Sequence, residues 1–224
     1  MDAIVRASGV RKVYHGGTEV EALSKIDVDV ARGEMLAVIG PSGSGKTTLL
    51  NCLSGLENID EGQILIDGTD LAGMKDDDRT QFRARSMGFV FQAFNLLPVL
   101  TAGENVEIPM LLLGSSAREA RDAAVQILER VDLGHRVDHK PDQLSGGEQQ
   151  RVAVARALVH HPAVVWADEP TGNLDSESSA SIIDLFIELN RGGQTIVMVT
   201  HDERDAARAQ RIIAMRDGRI EEER

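Results

Sequence analysis

Residues 35–39, Met-Leu-Ala-Val-Ile, are continuously apolar, the pattern of a short strand buried on both faces. Residues 19–30 instead partly alternate apolar and polar positions, as a strand with one solvated face does. Further strands are expected at 63–67 and 87–91, with Gly62, Gly68 and Gly88 marking their ends, and at 163–167 and 194–199. An apolar helix is expected over about 46–54. Another covers about 176–190, where Ile182, Ile183, Leu185, Phe186 and Leu189 share one face. Between 101 and 159 the pattern is mainly helical, with breaks near Gly114, Gly134 and Pro141. Thr101 with Glu104, and Ser116 with Glu119, have the spacing of capping boxes. Asp76, Asp77 and Asp78 read as a solvated helix start, where the helix dipole favours negative charge. Strands and helices arranged around a helical insert predict an α/β fold.

Composition narrows the class. The 224 residues suit one domain carrying a subdomain insertion, and 42% hydrophobic residues suffice for a real core. Aromatics make up only 3%, so aliphatic side chains must do most of the packing. A net charge of −12 counts against a nucleic-acid partner and against adhesion to anionic lipid. The single cysteine, Cys52, forms no internal disulfide and reads as a small buried residue of an apolar helix. The first residues lack the basic start and apolar core of a signal peptide. No apolar run approaches the ~20 residues that span a bilayer. The expectation is a soluble, cytoplasmic chain with no membrane span of its own.

Three motifs carry chemistry. Gly40-Pro41-Ser42-Gly43-Ser44-Gly45-Lys46-Thr47 lies between a buried strand and a helix and matches the P-loop pattern. Its glycines let backbone N–H groups turn toward phosphate, and the following helix presents its positive end. Lys46 would bridge the β- and γ-phosphates of a bound nucleotide, and the Thr47 hydroxyl would ligate Mg²⁺, with Thr48 beside them. Residues 164–169, Val-Val-Trp-Ala-Asp-Glu, form a second buried strand ending in two carboxylates. Asp168 suits a further Mg²⁺ contact, and Glu169 suits a general base acting on water. The third motif is Leu144-Ser145-Gly146-Gly147-Glu148, ahead of an apolar helix. Ser145 and Glu148 have capping-box spacing and could simply start that helix. Gly146 and Gly147 are poor helix formers, and make sense where a helix start approaches a phosphate closely.

Taken together these residues resemble the ABC ATPases, and the resemblance spans about residues 4–218. Residues 144–151 look like the signature motif, which in that family meets the γ-phosphate of ATP held by the opposite protomer. Gln92 is similar to the glutamine that senses Mg²⁺ and attacking water. Residues 173–175, ending in Asp175, resemble the loop that crosses the dimer interface. His201 resembles the histidine that contacts the γ-phosphate, and Tyr14 the aromatic that stacks on adenine. Trp166 departs from the family's smaller aliphatic residue and reads as core, with an indole N–H that needs a partner when buried.

The resemblance implies a P-loop NTPase core, with a RecA-like mixed sheet and an antiparallel β subdomain, plus an inserted helical subdomain. One ABC ATPase domain would cover 1–224, with the nucleotide-binding core at 1–92 and 162–224 and the helical signature subdomain at 93–161. It implies an ATPase that uses ATP and Mg²⁺, forms an ATP-dependent homodimer, and sits on the inner face of the cell membrane through a separate integral membrane permease. That permease would dock near Gln92 and the helical subdomain, where Phe94, Leu96 and Leu97 offer apolar surface. Residues 88–98, 104–106 and 167–175 resemble the macrolide-export, lipoprotein-release and cell-division branch, which implies export or mechanotransmission. A regulatory ATPase that signals through a membrane protein without transport would preserve the same motifs.

Overall fold

The computed structural model describes residues 3–224, apart from the Thr18 side chain. An antiparallel sheet is built from β1 (Ala3–Gly16), β2 (Thr18–Ala31), β4 (Glu61–Ile66) and β5 (Thr69–Asp70), in the order β2-β1-β4-β5. A second sheet contains β3 (Met35–Ile39), β6 (Met87–Phe91), β7 (Val164–Asp168), β8 (Thr195–Val199), β9 (Arg211–Arg216) and β10 (Arg219–Glu223). Its order is β10-β9-β3-β8-β7-β6, parallel throughout except for the antiparallel edge strand β10.

The continuous apolar runs are explained by what covers each face of this second sheet. Along β7, Val165 and Ala167 face a core shared with the helices, while Val164 and Trp166 face a core shared with the antiparallel sheet. A strand buried on both faces has no polar side to alternate with. Trp166 is fully buried, yet its indole N–H meets no protein acceptor among the described residues. The expected partner is missing, and packing of a large aromatic outweighs the lost hydrogen bond.

Seven α-helices are present among the described residues. α1 (Lys46–Leu53) follows β3, and α2 (Asp76–Ser86) begins on the three aspartates. α3 (Ala102–Leu112) and α4 (Ala117–Arg130) open on the two anticipated capping boxes, at Thr101 and Ser116. α5 (Gly146–Leu158) packs across β6, α6 (Ser176–Arg191) covers β8, and the short α7 (Glu203–Ala206) packs on β3. Cys52 is buried in α1, and burial pushes its thiol up to about 12, so it is an inert core residue.

Candidate functional site

The parallel strands deliver their carboxyl ends to one edge of the sheet, where α/β folds place their ligands. Gly40 follows β3, Asp168 ends β7 and Glu169 follows it, Thr200 and His201 follow β8, and Gln92 follows β6. A cavity of about 530 Å³ opens at this edge, and Ser42, Gly43, Gly45, Lys46, Thr47, Thr48, Glu169 and His201 line part of it.

The loop 40–45 wraps closely against its neighbours. A Cβ on Gly40 would lie 2.2 Å from the Met215 carbonyl oxygen, and one on Gly45 2.6 Å from that of Ala22. Gly45 also holds a left-handed φ of 99° that suits only glycine well. It precedes α1, whose N-terminus has no side-chain cap. The first N–H groups of that helix therefore remain free to meet an anion. Lys46 is buried and donates from Nζ to the carbonyl oxygens of Gly40 (2.8 Å) and Pro41 (3.0 Å). Ser44 Oγ is buried with no partner among the described residues. Unpaired donors and a buried ammonium at one concave surface fit a polyphosphate.

Thr47 and Asp168, far apart in sequence, meet here: Thr47 Oγ1 donates to Asp168 Oδ1 at 3.2 Å. Burial holds the Asp168 carboxyl above the usual carboxylate range; Glu169 adds to the rise, while Thr47 and Lys46 oppose it. A hydroxyl beside a desolvated carboxylate is a hard-oxygen donor pair, which suits Mg²⁺. Among the described residues no cluster of three His, Cys, Asp or Glu side chains could hold a metal by itself. A magnesium ion here would draw its remaining ligands from phosphate and water, as that ion commonly does.

Glu169 holds a left-handed φ of 48°, uncommon for a residue with a Cβ, and its backbone N–H donates to Val199 O at 2.9 Å. That geometry turns the carboxylate toward the next strand. Glu169 Oε2 lies 2.8 Å from His201 Nδ1 and accepts from the His201 N–H at 3.3 Å. Gln92 is not among the cavity's lining residues. Its Nε2 donates to Asn173 Oδ1 at 3.2 Å, and Asn173 Nδ2 donates back to Gln92 O at 3.1 Å. Tyr14 also stands outside the cavity lining; its hydroxyl donates to the Glu57 carboxylate, and Lys12 Nζ sits 5.4 Å from its ring centroid. Burial and the neighbouring Glu57 raise the Tyr14 hydroxyl above its ordinary value.

The signature segment is separate from this cavity. Ser145 Oγ accepts from the Glu148 N–H at 3.2 Å, and Glu148 Oε2 accepts from the Ser145 N–H at 2.8 Å, so the capping box forms. Glu148 Oε1 also takes Arg136 Nε at 2.9 Å. A Cβ on Gly147 would lie 2.9 Å from Ser178 Oγ, while one on Gly146 would reach no closer than 3.4 Å to any neighbour. Gly147 thus has a packing reason inside its own chain, where α5 meets the first turn of α6. Asp175 caps that turn, accepting from the Glu177 and Ser178 N–H groups at 3.0 and 2.9 Å. None of Ser145, Gly146, Gly147, Glu148 and Asp175 lines the cavity.

Five lining residues had no site role in the sequence reading: Val20, Glu21, Ala22, Asp217 and Gly218. Asp217-Gly218 is a recognisable hairpin turn signal, with both residues at positive φ (47° and 72°) between β9 and β10. The turn backs the loop directly, since the Gly218 N–H donates to Ser44 O at 3.0 Å. Ala22 carries no local signal of its role.

Fold and site together define a P-loop nucleotide-binding cassette. The family model described as ABC transporter matches residues 23–172. The lipoprotein-releasing system ATP-binding protein LolD of Porphyromonas gingivalis is 48% identical over 216 residues, covering 96% of this chain and 97% of that one. The macrolide export ATP-binding/permease protein MacB of Hyphomonas neptunium is 46% identical over 218 residues, 97% of this chain but 34% of that longer protein. The dimeric post-hydrolysis structure of the ATP-binding cassette MJ0796, bound to ADP and Pi, superposes with a TM-score of 0.89 at 42% identity, covering 98% of this chain and 97% of that one. The chain belongs to the ABC transporter family, as one of its ATP-binding, ATP-hydrolysing subunits.

Proposed function

We propose that two copies of this chain close on ATP head to tail and thereby drive a separate membrane permease of the lipoprotein-release and macrolide-export kind. One observation carries the reading: the cavity holds the P-loop, Glu169 and His201, while Ser145, Gly146, Gly147 and Asp175 lie outside it. A site divided in this way is completed by a second molecule. The solved relative MJ0796 is dimeric, and LolD and MacB are, by name, parts of a lipoprotein-releasing system and a macrolide exporter. This reading keeps the division into a core (1–92 and 162–224) and a helical subdomain (93–161).

In the closed dimer the α1 N-terminus and Lys46 hold the phosphates, and Tyr14 swings over the adenine beside Val20. Thr47, Asp168 and Gln92 would hold Mg²⁺, which would neutralise phosphate charge. Glu169 accepts a proton from the attacking water, and His201 steadies both Glu169 and the γ-phosphate. Ser145 and Gly147 of each copy present backbone and hydroxyl donors to the other's γ-phosphate. Hydrolysis weakens that bridge, and the copies part. Among the described residues no helix is long and apolar enough to cross a membrane. In this reading the chain works as a peripheral subunit on the inner face, held by its permease. Around Gln92 the exposed Leu97 (48%) and Val99 (73%) offer the permease apolar contact, while Leu96 packs against the chain's own core.

Glu169→Gln tests the reading. It should lower turnover about 100-fold or more, as loss of a general base does, and accumulate an ATP-bound dimer measurable by light scattering. Exposed to membranes with Mg-ATP, the tagged variant should co-purify with a protein of few spans and a large extracytoplasmic domain. A monomer at saturating ATP refutes the head-to-tail dimer, and capture of a many-spanning, pore-like permease refutes the mechanotransmission branch.

A further inference from the structure

The segment carrying Gln92 is gripped from behind by α5. Gln150 is fully buried in that helix, and its Nε2 donates to the carbonyl oxygens of Pro170 (2.6 Å) and Phe91 (3.3 Å). Phe91 immediately precedes Gln92, and Pro170 immediately follows Glu169. One amide therefore ties together the backbones beside two residues of the nucleotide site. Its Oε1 has no partner among the described residues. A buried amide that leaves its oxygen unpaired carries a cost, and the cost makes sense if the placement of its N–H₂ group matters.

Further along α5, Arg156 takes the other end of the same segment. Nη2 donates to Phe94 O at 2.8 Å, and Nη1 donates to Asn95 O. Both residues hold left-handed backbone, with φ of 60° and 52°. Phenylalanine rarely adopts that conformation unless its surroundings enforce it. The guanidinium holds both carbonyls of this turn, together with the backbone bonds from the Phe94 N–H to Phe91 O (3.2 Å) and from the Asn95 N–H to Ala93 O (2.6 Å). Beyond it, a Cβ on Gly88 would lie 2.1 Å from Ala157 O, so the end of α5 rests directly on the β6 backbone. The helix is fixed at that end, while its first turn begins at the signature residues Ser145, Gly146 and Gly147.

We propose that Gln150 and Arg156 are positioning residues for hydrolysis, linking Gln92 and Glu169 of one nucleotide site to the helix whose first turn closes the partner copy's site. The proposal rests on the dimeric reading above and on Gln92 serving the reaction. Engagement of the α5 start by the partner's γ-phosphate shifts or steadies α5, and the two side chains pass that to residues 91–95 and 170. Occupancy of one site then sets the geometry of the other, through hydrogen bonds inside one chain. Packed elements with discrete arrangements carry coupling in this way.

The test uses the full chain with Gln150→Glu, which keeps shape but replaces the amide donors by an acceptor, and with Arg156→Ala and Arg156→Lys. Each is combined with Gln92→Ala. For Gln150→Glu and Arg156→Ala, ATP affinity should stay within about twofold of the parent while kcat falls about tenfold, the rate equivalent of one buried hydrogen bond. The cooperativity of turnover in ATP concentration should fall with it, and Arg156→Lys should recover part of the loss. In the Gln92→Ala background Arg156→Ala should cost less than about twofold more, because residues acting on one path are non-additive. Gln150→Glu should cost less there than in the parent, while keeping the part that runs through Pro170 beside Glu169. Losses that multiply in that background, or singles with parental kcat, overturn the proposal. Should Gln150→Glu fail to fold, as judged by melting and nucleotide binding, the Arg156 pair carries the same test. Gln92→Ala with full turnover would instead remove the role of Gln92, and the proposal with it.

Discussion

Two helices of this protein begin next to glycines, yet their first turns are finished differently. α1 starts after Gly45 with no side-chain cap, and its open N–H groups face a cavity of about 530 Å³. α5 starts on Ser145 with a complete capping box, and its first turn lines no part of that cavity. An uncapped N-terminus leaves donors unsatisfied and so holds a standing affinity for an anion. A capping box satisfies the Glu148 N–H and the Ser145 N–H within the chain and leaves only the N–H groups of Gly146 and Gly147 open at that end. In the proposed dimer, the difference separates a helix end kept ready for nucleotide from one that meets phosphate only when a second copy arrives.

Removing the open end's main charge should have the largest effect. Lys46→Ala takes away a buried ammonium aimed at the phosphate loop, and turnover should fall about 100-fold or more with nucleotide affinity lost alongside. Parallel ATPase and calorimetric titrations measure both, and parental turnover would contradict the P-loop assignment. At the capped end, Gly147→Ala should push α5 off Ser178 and lower turnover about tenfold, while the isolated chain still binds ATP. A drop in ATP affinity as large as the drop in turnover would erase the contrast between the two ends.

Ser145→Ala sharpens the comparison, because it removes a cap and, in the proposed dimer, a phosphate donor together. The isolated chain should lose about 1 kcal/mol of stability, a melting shift of roughly 2–4 °C for a domain of this size. ATP-driven dimerisation of the Glu169→Gln protein should weaken as well. An unchanged melting temperature would mean that the cap contributes nothing.

The smallest effect is one of pH. The Ser145 backbone N–H, in first place, then the Ser145 hydroxyl and Arg136 hold the Glu148 carboxyl below its usual value, against the effect of burial. A depressed carboxylate contributes stability that is present above its unfolded value and lost as pH falls through the folded one. Hydrogen exchange in the first turn of α5, corrected for intrinsic rate, should therefore accelerate on acidification below the ordinary carboxylate range. The first turn of α1 has no such titrating cap and should show no matching step.

Much of this contrast was legible in the sequence, though not its outcome. Both motifs stood out, and the spacing of Ser145 and Glu148 allowed either a cap or a phosphate site. The structure shows the cap formed, and gives Gly147 a packing reason in Ser178 that the pattern could not reveal. The strands at 35–39, 87–91, 163–167 and 194–199 correspond to β3, β6, β7 and β8, because apolar runs buried on both faces leave a strong local trace. β1 was not visible. Its register shifts at several points between Ala3 and Val13, which breaks the alternation that marks a strand. β10, Arg-Ile-Glu-Glu-Glu, is largely exposed and is a strand through its pairing with β9.

The sequence by itself determined the local devices: the glycine-rich loop, the caps at Thr101, Ser116 and Ser145, the buried strands and the acids that end β7. Each depends on residues within a few positions of one another, so its physics is written in spacing and residue type. Only the tertiary structure decided which devices meet. Thr47 reaches Asp168 across 121 positions and His201 reaches Glu169 across 32, because parallel strands bring distant carboxyl ends to one edge. The same packing set Ala22 and Gly218 behind the loop, and placed Ser145 outside the cavity. Such placements follow from strand order and helix packing, which no short stretch of sequence specifies alone.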